Sequence, residues 1–249
     1  MLTFLKETYY VSWSDIKFMR HNFFNILIMS IMSPLLYLLA FGYGLGDGLE
    51  VEGVPYIAFI IPGIAALSSL NSSFSSTSAR LNVQRLYYGC FDNLIMCPVS
   101  IPAMVLGKSL MGVIRGLVSS SIIFGLGLFL APDLMLTPMY IITIVVSCLT
   151  FSLLGVTAAL LAKSHQSMAT ISTLLILPMT FLCGTFFTLS NMPSVVQAAL
   201  YALPLTHSSE AIRAAALGWD YPWISLIVLL AFGVVFFAIN TYLIRTRKV

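Results

Sequence analysis

Two cationic side chains, Lys108 and Arg115, stand inside a long run of aliphatic and small residues. They are seven positions apart, so a helix puts them on one face. A cation in such surroundings can line a path or meet an anionic group such as a lipid phosphate. Alternatively it can stretch along its own methylenes to the nearest polar surface, or settle on backbone carbonyls. For Lys108 this second reading, surface or backbone carbonyls, is favoured. For Arg115, deeper in, both readings stand. Phe181, Phe186 and Phe187 form a cluster that could touch an apolar or sugar ligand or serve as an aromatic belt.

Other groupings of reactive residues lose their meaning in context. Pro102 to Ser109 ends in Gly107, Lys108 and Ser109, as a phosphate-binding loop does, but Pro102 stands where the first glycine belongs. That loop also needs a preceding strand and an irregular backbone, and this context is an apolar helix. Nucleotide binding by this chain is rejected. His207, Ser208 and Glu210 have neither an orienting partner nor oxyanion elements, so no hydrolase is expected. His21, His165 and His207 are scattered, and Cys90 and Cys97 lack the spacing of a zinc pair. All four cysteines read as unpaired, and no metal is expected.

The elements that must position these residues follow from composition. The chain has 249 residues, 59% hydrophobic and 8% charged. A soluble domain carries about 25% charged residues, so the fold class is an all-α membrane protein. The net charge of +3 is too small to argue for nucleic acid. Residues 1–22 place Leu2, Leu5, Tyr9, Trp13 and Ile16 at helical spacing, with Lys6, Asp15, Lys17 and Arg20 elsewhere. This predicts an amphipathic helix lying in the interface rather than a cleaved leader. Residues 23–249 form the transmembrane domain. Apolar runs at 23–45, 55–79, 101–130, 138–162, 168–189 and 222–244 approach the ~20 residues needed to cross a hydrocarbon core. Gly112 and Gly116 predict a close helix contact. Between the last two runs, Val195 to Leu203 and Ala211 to Leu217 predict two short helices at the outer surface or dipping into the membrane, the second ending at Gly218.

Charge placement sets the orientation. Lys6, Lys17, Arg20, Arg80, Arg85, Lys163, Arg245, Arg247 and Lys248 alternate with segments holding Asp47, Glu50, Glu52, Asp133, Glu210 and Asp220, where Arg213 is the one basic residue. Both termini are therefore expected in the cytoplasm, with an even number of crossings. The stretch from Arg80 to Ser100 then hangs into the cytoplasm. It has room for a short helix with Leu81, Arg85 and Tyr88 on one face and Asp92 a turn further on. It reads either as a docking face for a soluble partner or as a solvated connection. No carboxylate lies inside a run, which argues against an ion-driven carrier.

Six crossings, an amphipathic first helix, a cytoplasmic helix between the second and third spans and a partly re-entrant outer segment resemble the permease subunits of type-2 ABC exporters. Gly89-Cys-Phe-Asp92-Asn-Leu94-Ile95-Met-Cys-Pro98-Val99-Ser100 is similar to the family's Gly-x-x-Glu-x-Leu-Leu-x-x-Pro-Val-Ser segment, with Asp92 in place of Glu. Pro204-Leu205-Thr206, followed by Glu210-Ala211-Ile212-Arg213, resembles the Pro-Leu-Thr and Asp-Ala-Leu-Arg elements before the last span. The likeness is nearest to small bacterial drug-, lipid- and nodulation-factor-export permeases.

The resemblance implies a non-catalytic subunit in a bacterial or archaeal cytoplasmic (inner) membrane. It would pair with a second copy and with two copies of an ABC ATPase that binds ATP and Mg, and would move an amphipathic, lipid or glycan-type substrate outward. It makes the loop helix a coupling helix braced by the N-terminal helix, with Arg85, Tyr88, Gly89, Asp92, Leu94 and Pro98 docking the ATPase. Pro204, Thr206, Glu210 and Arg213 form its outer motif. Arg115, Phe181, Phe186 and Phe187 are the candidates for the substrate path. The competing expectation is an ATP-independent channel or facilitator.

Overall fold

The computed structural model describes residues 2–44, 50–132, 134–186 and 193–247, so Asp47, Asp133 and Phe187 lie outside the described residues. The fold is all-helical apart from one small hairpin. Helices α1 (Leu2–His21) and α2 (Phe23–Tyr37) follow one another, and α2 continues as a π-helical turn, Leu38–Tyr43. Strands β1 (Glu50–Val51) and β2 (Val54–Pro55) pair antiparallel. Then come α3 (Tyr56–Leu86), α4 (Cys90–Met96), α5 (Ile101–Leu130), α6 (Pro138–Leu161), α7 (His165–Leu182), α8 (Ser194–Tyr201), α9 (Pro204–Leu217) and α10 (Trp223–Arg247).

Five of the described helices are long and apolar enough to cross a membrane: Phe23–Gly42, Tyr56–Leu86, Ile101–Leu130, Pro138–Leu161 and Trp223–Thr246. The expected span at 168–189 corresponds to α7, which is not among them. Its opening turns carry His165, Gln166, Ser167 and Thr170, and it ends at Leu182. The start is fixed by a reciprocal cap between Ser164 and Ser167, which satisfies backbone donors that the helix itself cannot.

The central post is α3, buried on nearly every side of its first half. It is held by small polar contacts rather than bulk. Ser68 and Ser119 share a hydrogen bond of 2.7 Å, Thr77 and Ser152 one of 2.8 Å, and Ser152 donates to the Ser109 carbonyl at 2.6 Å. Without a hydrophobic drive between helices in lipid, close approach and such bonds supply the cohesion. Gly112 and Gly116 make that approach possible. A Cβ on Gly112 would strike Thr77 and Ser152, and one on Gly116 would strike Ser73 and Cys148.

Two expectations are corrected. The α3 helix does not stop at 79 but runs through Arg80 and Arg85 to Leu86, because nothing breaks it before Gly89. Leu81 and Arg85 therefore lie on α3, Tyr88 lies in the turn and Asp92 on α4, so they do not share one helix face. Helix α9 is packed into the bundle. Pro204 to Ser209 and Ala211 to Ala216 are buried against α3, α6 and α10. Its end at Gly218, with φ of 70°, is where the repeat predicts it.

Candidate functional site

The turn into α4 is set by Gly89, whose φ of 63° lies in the left-handed region. An L side chain there costs about 1–2 kcal/mol. The helix is short, yet it is anchored. Phe91 is buried in a cluster with Leu81, Val105, Val156, Leu160 and Ile244, and Leu94 and Ile95 pack against the same cluster. The α4 unit is thereby fastened to α3, α5, α6 and α10. What it leaves outside is a mixed surface: Tyr87, Tyr88 and Met96 are 76%, 60% and 85% exposed, and Asp92 and Pro98 are exposed too. Asp92 sits in the first turn of α4, where a negative charge complements the helix dipole.

Arg85 is half-buried near the end of α3. Its guanidinium reaches the carbonyls of Ala159 and Ala162, the latter at 2.7 Å, at the C-terminal end of α6. A cation there satisfies carbonyls that have no partner within the helix.

On α1, Leu5, Tyr9 and Trp13 face outward, while Val11, Ser12 and Asp15 are buried against the bundle. Asp15 accepts from Arg80 at 3.0 Å and Gln84 at 2.7 Å through Oδ1, and from Lys108 at 3.1 Å through Oδ2. Lys108 also donates to Gln84 Oε1 at 2.8 Å. Lys108 thus does not reach a polar surface as expected; an internal carboxylate holds it 9% exposed. A second carboxylate, Glu7, accepts from the backbone N–H and the hydroxyl of Ser100. The Ser100 hydroxyl and then its amide hold Glu7 below the usual carboxylate range. This contact is present above the unfolded-state pKa of Glu7 and is lost as pH falls through the lowered one. The first helix braces α5 and the segment leaving α4.

Arg115 lies midway along α5 on a cleft of about 650 Å³ between α2, α3 and α7. Phe181 also lines this cleft, whereas Phe186 is buried behind it, 4.4 Å between centroids from Phe41. The structure therefore brings Arg115 and Phe181 together and gives Phe186 a packing role.

In the outer motif, Arg213 is 6% exposed. It donates to the carbonyls of Phe59, Gly184 and Thr185 at 3.2, 2.7 and 3.4 Å, and its guanidinium lies 3.8 Å over the Phe59 ring. Thr206 donates to the Leu200 carbonyl at 2.7 Å. Glu210 accepts from Tyr201 and Ser225 at 2.8 and 3.1 Å. Burial, and then the Glu210 carboxylate, push the Tyr201 hydroxyl up to about 12. Ser208 bonds to Ser147 and not to His207, which meets Ser225 and the Tyr201 carbonyl. No hydrolytic trio is formed by these residues, and Pro204 opens α9 at its first turn.

The residues resembling a phosphate loop do not fit a nucleotide. Gly107 lies in regular α5 against Val11 and Thr8, and Lys108 is engaged by Asp15 and Gln84. Among the described residues no group of histidine, cysteine and acidic side chains could hold a metal ion. The partners of Asp15 and the hydroxyls of the cleft were missed in the sequence. The one available signal for the hydroxyls was the density of serine from Ser68 to Ser78 within an apolar run.

Comparison with known proteins gives the same picture. The chain is 27% identical over 241 residues to the inner membrane transport permease YadH of Escherichia coli (strain K12), covering 92% of each chain. It is 29% identical over 250 residues to nodulation protein J of Rhizobium meliloti (strain 1021), covering 94% of each. To nodulation protein J of Bradyrhizobium diazoefficiens it is 30% identical over 232 residues, covering 89% of this chain and 86% of the other. The family described as ABC-2 type transporter matches residues 6–217, most of the bundle including α4 and α9, and the chain belongs to that family of membrane transport subunits.

Proposed function

We propose that this chain is the transmembrane subunit of an ATP-driven exporter in the cytoplasmic (inner) membrane. Two copies pair, α7 supplies the sixth crossing, and both termini face the cytoplasm. Each copy docks a separate ATPase, which binds the ATP and Mg, through Tyr88, Gly89, Asp92, Pro98 and the surface beside them. The substrate is an amphipathic, lipid or glycan-type molecule moved outward. The observation that carries this reading is the construction of α4. Phe91 is buried in a cluster that also holds residues of α3, α5, α6 and α10, while aromatic and acidic side chains beside it are exposed. A helix so fastened moves as a lever with α3 and α5 when a partner pushes it. Arg85 ties the end of α3 to α6 and stiffens that lever rather than meeting the partner. One relative's printed name, inner membrane transport permease, supports a transport role without naming direction or substrate.

The test uses Tyr88→Ala and Asp92→Lys. Both positions are exposed, so the folded bundle should survive. An exposed tyrosine at the centre of an interface contributes about 2 kcal/mol, so Tyr88→Ala should weaken ATPase binding about 30-fold. Asp92→Lys should leave ATP hydrolysis by the partner running while transport falls. Transport that proceeds in vesicles holding this chain alone would favour the facilitator instead.

A further inference from the structure

The second half of α3 is open along one line. Asn71, Ser75, Ala79 and Val83 follow in steps of four and are accessible, while Ser72, Ser73, Ser76 and Ser78 are buried. That stripe is the floor of two clefts, about 650 and 280 Å³, which share Ser75 and Ser172 and so form one groove between α3 and α7. At the inner end stands Arg115. Its Nε is buried with no partner, and Nη2 reaches only Ser30 Oγ at 3.3 Å. Both ion pairs among the described residues converge on Asp15, and no acidic residue lines either cleft. At the other end Asn82 is 1% exposed, with its amide nitrogen and its oxygen both buried and unpartnered. A guanidinium without an anion and an amide without partners are costly at such depth. Two of them at the ends of one groove point to a ligand that satisfies both in turn.

We propose that this groove binds an amphipath with a phosphate-ester headgroup, which enters past Asn82 and comes to rest on Arg115. A guanidinium offers two parallel donors to a phosphate. The hydroxyls of Ser76, Ser172 and Thr180 donate to their own helix backbones at 2.6, 2.9 and 2.8 Å. Their oxygens therefore face the groove as acceptors for hydroxyl groups on the ligand. Leu177 and Phe181, 55% and 45% exposed, form an apolar lip for the tail. The direction of entry, from the α4 end, rests on the exporter reading; the binding site does not.

Titration of the purified chain, in a neutral detergent and followed by native mass spectrometry, tests the site without any ATPase. A failure here therefore leaves the exporter reading standing. Dioctanoyl phosphatidic acid should bind at least about tenfold more tightly than dioctanoylglycerol, and more tightly than inorganic phosphate. Arg115→Gln should abolish the preference and Arg115→Lys should keep part of it. Ser75→Trp should weaken the lipid by a similar factor with Arg115 intact, because it blocks the floor shared by both clefts. Equal binding of the phospholipid and the diglyceride, or an unchanged preference in Arg115→Gln, would overturn the proposal. Inorganic phosphate binding as tightly as the lipid would overturn the assignment to an amphipath.

Discussion

Arg213→Ala should be the most damaging single substitution in the outer half of the protein, costing about 3–5 kcal/mol. The side chain reaches carbonyls in two segments, Phe59 on α3 and Gly184 and Thr185 beyond α7, which Tyr56 also joins through the Phe186 carbonyl at 3.0 Å. Alanine leaves those carbonyls without these donors, opens a hole under α9 and removes the contact with the Phe59 ring. Each buried carbonyl left unsatisfied costs about 1–3 kcal/mol. Arg213→Lys keeps the charge but not the planar fork, so it should recover only part of the loss. The midpoint of thermal unfolding in detergent reads the order wild type, lysine, alanine. Equal midpoints would show that α9 is held by its apolar contacts alone.

The second large effect is expected at Asp15. Its carboxylate is 2% exposed and answers three donors; of its two cationic partners, Lys108 is the enclosed one. Removing one partner of a buried pair costs about 3–5 kcal/mol, because the other charge stays buried. Arg80, 25% exposed and lying over Phe18, can turn outward, but Lys108 cannot. Asp15→Ala should therefore destabilise the protein by about that amount and loosen α1 from α5. Asp15→Ala combined with Lys108→Met should regain most of the loss, since the lysine charge is then no longer left buried without its partner. Unfolding midpoints for the two singles and the double form the cycle. A double variant as unstable as the sum of the singles would refute a pair.

What could be read in advance was what local pattern controls. Apolar runs placed α5 and α6 within a residue, Gly218 ended α9, and the Gly112 and Gly116 spacing marked the tight helix contact. The long-range partnerships were hidden. Lys108 lies 93 residues from Asp15, and Arg213 lies 154 from Phe59. Nothing in either neighbourhood says that the charge is answered internally rather than by solvent. The amphipathic first helix was legible as an element but not in the use of Asp15, which is turned into the bundle while Lys6, Lys17 and Arg20 stay exposed. The stripe on α3 escaped notice because serine is tolerated within spans by bonding to its own helix, and only the position of α7 shows which serines line a groove.

Native thiols offer the sharpest test of docking through α4. Cys90 and Cys97 flank that helix and are exposed, whereas Cys148 and Cys183 are buried. An impermeant maleimide should label the wild-type chain in inside-out vesicles and not in right-side-out ones. Adding the ATP-hydrolysing subunit proposed to drive transport should slow the labelling. Labelling from the outside, or a rate unchanged while that subunit is driving transport, would contradict force transfer through α4.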